Sequence, residues 1–187
     1  MKRIIFLLLF VSIIFIIYSV NYFNQYHIED KTTSIQSELK EWINRGSGLI
    51  NLEVLKKVQL DDTSSYIVSF QTKSGNIGYA QLIKGWNGKF KIVLAGHGDG
   101  EYVADYQKIK TSDGIYGVLV GRNPDRKIDH IIADLDDEEF KFTSNVSGEK
   151  TYVKYHKLPP DIEKPFPARV TLYDKNNTEI YPPDLFQ

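Results

Sequence analysis

The chain has no cysteine among its 187 residues. That absence excludes disulfides, thiol catalysis and a lipid-modified cysteine anchor. It suits an exported protein of a bacterium whose envelope does not rely on disulfides, though it does not by itself fix a compartment. An excess of one charge is also lacking, with 23 Lys and Arg against 24 Asp and Glu. All the acidic residues and all but Lys2 and Arg3 of the basic ones lie past Val20, so that part carries a net charge of −3. Such a balance predicts neither nucleic-acid binding nor electrostatic adhesion to anionic lipid. There is no internal repeat, low-complexity tract or long run of charge. A serine-nucleophile elbow, H-E-x-x-H and paired general acid/base motifs are missing as well. No motif calls for a cofactor.

What is present begins at the first residue. Lys2 and Arg3 precede an apolar run from Ile4 through Val20, broken only by Ser12, Ser19 and the Tyr18 hydroxyl. A membrane-spanning helix needs roughly 17–25 mostly apolar residues. The run meets the lower bound without a charge, and Phe23 extends it if Asn21 sits at the interface. A cleaved secretory signal has the same basic start but ends at small residues. Here the exit is bulky, and Tyr18, Tyr22, Phe23 and Tyr26 cluster there as an interfacial aromatic belt does. The run therefore predicts a retained single-span anchor, with cleavage as the alternative. Basic residues beside a span tend to stay cytoplasmic, so the expected localisation is the cell membrane, with the amino terminus cytoplasmic and the remainder extracytoplasmic. With no charge inside the span and no G-x-x-x-G, neither an ion path nor helix pairing is indicated.

The remainder predicts an α+β, mostly β fold: one amphipathic helix packed on an antiparallel meander sheet, then a small β-sandwich-like module. Residues 1–23 form the cytoplasmic tip and anchor, 24–32 a linker, 33–123 the helix plus sheet, and 124–187 the β-rich module. Whether that module folds alone or completes the first sheet stays open, because about sixty residues bury little core. The helix is expected from Thr33 to Arg45. Thr33-Ser34-Ile35-Gln36 reads as a capping box, Ile35, Leu39, Trp42 and Ile43 make one apolar stripe, and Gly46 and Gly48 supply the stop. Its polar face mixes Glu38 and Glu41 with Lys40 and Arg45, which favours packing on the domain over lying on a membrane. Leu49 to Val58 fits either a short helix or a strand.

From Asp61 the signal is β. Strands are expected over Ser65–Thr72, Asn76–Lys84, Lys89–Ala95, Glu101–Lys110 and Gly114–Gly121, punctuated by Lys73-Ser74-Gly75-Asn76, Gly85-Trp86-Asn87-Gly88 and Ser112-Asp113-Gly114. Ile115 to Val120 is apolar on both faces and reads as a central strand. After the boundary at Arg122-Asn123-Pro124-Asp125-Arg126, strands are expected over Ile128–Leu135, Glu139–Thr143, Thr151–His156, Ala168–Tyr173 and Glu179–Tyr181. Leu158 to Pro167 holds four prolines and must be a crossing loop.

Three constellations bear on chemistry. In Gly96-His97-Gly98-Asp99-Gly100-Glu101, the side chains of His97, Asp99 and Glu101 offer metal ligands. A zinc site, however, usually gathers several histidines, and no two of His27, His97, His130 and His156 have ligand spacing. The glycines join two expected strands rather than a strand and a helix, which excludes a phosphate loop. The reading favoured is a hairpin loop. Asp134, Asp136, Asp137, Glu138 and Glu139 lack the calcium-loop order and read as a solvated turn. Trp86, Tyr102 and Tyr106, with Tyr116, are candidates for an interaction surface, the bland alternative being core.

The stretch Ile77-Gly78-Tyr79-Ala80 through Lys84-Gly85-Trp86-Asn87-Gly88-Lys89-Phe90-Lys91-Ile92, followed by Gly117 to Asn123, resembles uncharacterised single-pass extracytoplasmic proteins of Bacillus-type, spore-forming Firmicutes. The turn at Tyr173-Asp174-Lys175-Asn176-Asn177 resembles the closing hairpin of such proteins. The resemblance implies a location and says almost nothing about activity. The expected function is a membrane-anchored, non-enzymatic extracytoplasmic binding module of unknown specificity, which meets the membrane through the first helix and binds another membrane or envelope protein or a small ligand. A regulator or inhibitor of a membrane enzyme shares the same sequence features. The alternative is a cell-envelope enzyme, metal-assisted or carboxylate-based, built around Gly96–Gly100.

Overall fold

The computed structural model describes residues 2–46, 49–97 and 104–181. The apolar start is one continuous helix, α1 (Lys2–Gln25). Its 22-residue stretch Ile4–Gln25 is long and apolar enough to cross a membrane, and none of its most apolar 18 residues is buried. Length and composition fit a membrane span or a signal segment alike.

The second helix, α2 (Thr32–Asn44), buries Ile35 and Leu39 and half-buries Trp42 and Ile43. The expected apolar stripe is therefore the packed face. The expected capping box does not form. Lys31 precedes the helix with an extended backbone and no side-chain cap bond. Gln36, instead of reaching back, accepts the backbone N–H of Val54 at 3.0 Å. A strand amide facing the helix needs an acceptor more than a solvent-exposed helix end does, so the tertiary partner wins. After Asn44 the chain turns into the first strand, and the Asn44 side chain bonds both the N–H and the carbonyl of Ile50. Gly48 lies outside the described residues.

Eleven strands form three antiparallel sheets among the described residues. The first holds β1 (Leu52–Gln59), β2 (Ser65–Thr72), β3 (Ile77–Lys84) and β4 (Phe90–His97) in sequence order. The ambiguous stretch after Leu49 is thus a strand, registered from Leu52↔Thr72 to Gln59↔Tyr66. The second sheet holds β5 (Ala104–Thr111), β6 (Gly114–Arg122) and β9 (Thr151–Lys157), with β6 central. The third holds β11 (Glu179–Ile180), β10 (Ala168–Tyr173), β7 (His130–Leu135) and β8 (Lys141–Asn145), in that order.

Alternation along each strand assigns its faces. Val68, Phe70, Ala80 and Leu82 join Ile35 and Leu39 of α2 in one core. Ile67 and Ile77, on the opposite face of the first sheet, pack with Tyr116, Val118, Val120 and Val153 of the second. Leu119 and Tyr152 face the other way and meet Ile131, Ala133, Leu135, Phe142 and Leu172 of the third. The layers run helix, sheet, sheet, sheet.

The meander expected from Ser65 to Gly121 is therefore divided between two sheets. The reason lies in β6: a strand apolar on both faces needs cover on both, and the second sheet has it from the first sheet on one side and the third on the other. The second sheet draws β9 from beyond Asn123, paired with β6 from Tyr116↔Lys157 to Arg122↔Thr151. Asn123 is fully buried, donates to the Ile128 carbonyl at 2.8 Å and accepts the Ile128 N–H at 3.1 Å. The turn is an internal pin.

Candidate interaction surface at the end of the first helix

The end of α1 does not hang free. The β3–β4 turn, Gly85-Trp86-Asn87-Gly88, is closed by Gly85 N–H to Lys89 carbonyl at 2.8 Å, with Gly88 at φ +77° where side chains are disfavoured. This tip is set against the last turn of α1. The Trp86 N–H donates to the Tyr22 hydroxyl oxygen at 2.7 Å, and the Asn87 amide donates to the Tyr26 carbonyl at 3.0 Å. The Trp86 and Tyr22 rings stack at 4.9 Å, Tyr22 stacks on Tyr26 at 4.5 Å, and Phe23 meets Trp86 edge-on at 5.4 Å. A side chain at Gly85 would collide with the Tyr22 hydroxyl and come within 2.7 Å of the Tyr26 ring. The ammonium of Lys91 lies 4.8 Å over the Tyr26 ring.

The expected linker at 24–32 is pinned along its length. Ile28 is buried and exchanges both backbone hydrogen bonds with Phe90, at 2.8 and 3.1 Å, adding a one-residue bridge to β4. His27 has an acceptor at each ring nitrogen: the Asn24 carbonyl 2.9 Å from Nδ1 and the Glu38 carboxylate 3.1 Å from Nε2. Only the imidazolium donates to both. The hydrogen bond His27 donates to Glu38 accordingly raises the His27 pKa above its ordinary value. Asp30 receives the ammonium groups of Lys57 and Lys84, and the Lys57 hydrogen bond holds its carboxyl below the usual range. Both lysines lie over the Tyr66 and Phe90 rings, at 5.2–5.8 Å.

Beside this junction runs a groove of about 350 Å³, lined among others by His27, Glu38, Trp42, Arg45, Lys91 and Val93. The Arg45 guanidinium stacks 5.0 Å over Trp42. One wall is β4, an edge strand of its sheet. Beyond the Ile28 bridge no described strand covers that edge, and Val93 is 45% exposed on it.

The residues singled out in the sequence fare differently. Trp86 is 72% exposed at the tip, in contact with α1. Tyr106 is not a surface residue. It is 4% exposed in the core between the second and third sheets, and its hydroxyl donates to the Pro165 carbonyl at 2.8 Å. Burial pushes its pKa up to about 12. Tyr116 is likewise core, donating to Asp61 at 2.9 Å. Tyr102, Asp99 and Glu101 lie outside the described residues, as does Gly98–Gly100. His97 ends β4, opposite Gly78. Among the described residues no three His, Asp or Glu side chains gather as a metal site would require. The acidic turn is a docking point as well as a solvated tip: Glu138 accepts the N–H groups of Glu163 and Lys164 at 3.0 and 2.7 Å.

Sequence reasoning missed Gly85, His27 and Asp30. The turn at Gly85 and the aromatic cluster at Tyr22 were both legible, but nothing in periodicity joins two segments 64 residues apart. No protein-family model, curated protein or solved structure matches the chain.

Proposed function

We propose that the protein is a single-span, membrane-anchored binding module, its folded part extracytoplasmic and its groove beside β4 offered to an extended segment of another membrane or envelope protein. The observation that carries the reading is the junction itself. The apolar helix runs unbroken into Tyr22 and Tyr26, and the domain holds those two residues by stacking and hydrogen bonds. A segment destined for removal needs no such continuity with the fold. Lys2 and Arg3 favour a cytoplasmic amino terminus.

The binding half of the proposal rests on the edge strand. Exposed strand edges accept an additional strand through main-chain hydrogen bonds, with neighbouring pockets reading alternate side chains. Trp42, Val93 and the aliphatic stem of Lys91 provide apolar contact in the groove, while Arg45 and Glu38 provide charge. A photo-crosslinking residue placed at Val93 of the full chain, expressed in cells, tests this. A discrete adduct at Val93, absent when the same group replaces exposed Lys175 on the remote β10–β11 turn, is expected. No adduct at Val93, or the same adducts from both positions, would contradict it.

A further inference from the structure

We infer that the Trp86 hairpin tip is a second membrane contact, seated in the lipid interface beside the helix, so that the domain is held on the bilayer at a fixed height and orientation. The inference rests on the anchor reading above and adds a lipid-binding element within the folded domain.

Height is the first argument. An α-helix rises 1.5 Å per residue, so Ile4 to Phe23 covers about 29 Å, close to the roughly 30 Å hydrocarbon core. With the apolar run filling the core, Tyr22 and Phe23 stand at its outer boundary. Trp86 is bound to both of them, so its ring stands at the same level. Tyr18, one turn further in, stacks on Tyr22 at 6.4 Å and extends the aromatic series inward.

Chemistry is the second argument. A tryptophan 72% exposed at the tip of a turn leaves a large apolar ring in water unless something covers it. The domain does not: the contacts of Trp86 are with α1, whose own apolar side chains from Ile4 to Phe23 are largely exposed. Whatever covers that helix reaches Trp86 without a break. Trp and Tyr are enriched at membrane interfaces because the ring is apolar and its N–H or O–H is polar. Exposed Lys89 follows the tip. Long basic side chains next to such a ring reach to the headgroup layer while their stems stay apolar. Because the soluble part carries a net negative charge, the contact depends on the ring and not on anionic lipid.

Rigidity follows from the same geometry. A helix joined to a domain by a loose linker lets the domain tumble above the membrane. Here Ile28, His27 and Asp30 fix the connection, and the tip adds a point of support away from the helix axis.

The test uses the full chain in zwitterionic phosphatidylcholine vesicles. The protein has two tryptophans, Trp42 and Trp86, so subtracting the emission of a W86F variant from that of the unaltered chain isolates Trp86. Flotation of the vesicles after an alkaline wash reads the anchor separately. The result expected is co-flotation of both proteins. The Trp86 component should be quenched by lipid brominated near the headgroup end of the acyl chain more than by lipid brominated near the tail end. It should also be protected from aqueous iodide, and the Trp42 emission left in W86F should show no bromolipid quenching. Co-flotation with a Trp86 component open to iodide and insensitive to both bromolipids would overturn the tip contact and leave the anchor intact. Loss of both proteins from the floated vesicles would overturn the anchor reading itself.

Discussion

Gly85 is the residue on which the junction turns, since the space its side chain would need is taken by Tyr22 and Tyr26. Gly85→Ala should separate the tip from the helix or force both to shift, at about 1–3 kcal/mol for an overpacked site. Denaturant unfolding of the full chain in detergent, with tryptophan emission as probe, checks it; an unchanged midpoint and unchanged emission would contradict the packing. Asn123 is a second residue with a larger role than its sequence suggests. Proline and aspartate beside it mark a turn, and the turn forms. That the side chain is buried and serves both backbone groups of Ile128 was not legible, because an asparagine in a loop reads the same whether it faces water or core. Asn123→Ala leaves those groups without their partner, at a cost of about 1–3 kcal/mol. Asp125→Ala, at an exposed position of the same turn, should change stability by no more than about 0.5 kcal/mol. Equal effects of the two substitutions would contradict the pin.

At the scale of elements, legibility followed periodicity. The stripe Ile35, Leu39, Trp42, Ile43 announced α2, because an amphipathic helix repeats its apolar positions every three or four residues. Leu39 is fully buried against the first sheet, so Leu39→Ala should cost about 2–5 kcal/mol in unfolding free energy. Lys40→Ala, one position away and exposed, should be close to neutral. A reversal of that order by urea titration would place the wrong face on the sheet. Most strands were legible from turn dipeptides and alternation. Sheet membership was not. Alternation says that Ile67 and Val68 face opposite ways, but not that one meets the second sheet and the other α2. The split between β4 and β5 depends on β9 arriving from beyond Asn123, a pairing between distant segments that no local pattern encodes. The capping box failed for a related reason: Gln36 had a better acceptor role in the fold, at Val54, than at its own helix end.

For the whole molecule, the strap between helix and domain makes the junction sensitive to pH from both sides. His27 has a raised pKa in the fold, so its contribution is fully present below the unfolded value near about 6.5 and is lost as pH rises through the folded value. Asp30 has a lowered pKa, so its contribution is present above the unfolded value near about 3.9 and is lost as pH falls through the folded one. The junction should therefore be tightest in weakly acidic solution. The stability difference between the unaltered chain and His27→Gln, measured by denaturant titration from pH 5 to 8, should shrink as pH rises; a difference that grew would contradict the imidazolium. The location of the domain is the central claim, and the lack of native cysteine makes its measurement clean. A single cysteine in place of Lys175, an exposed residue in a turn far from α1, reports which side of the membrane the domain occupies. In intact cells a membrane-impermeant maleimide should label the full-length chain, and the label should sediment with membranes after an alkaline wash. Labelling only after lysis, or label on a soluble chain that has lost its first twenty or so residues, would contradict the account.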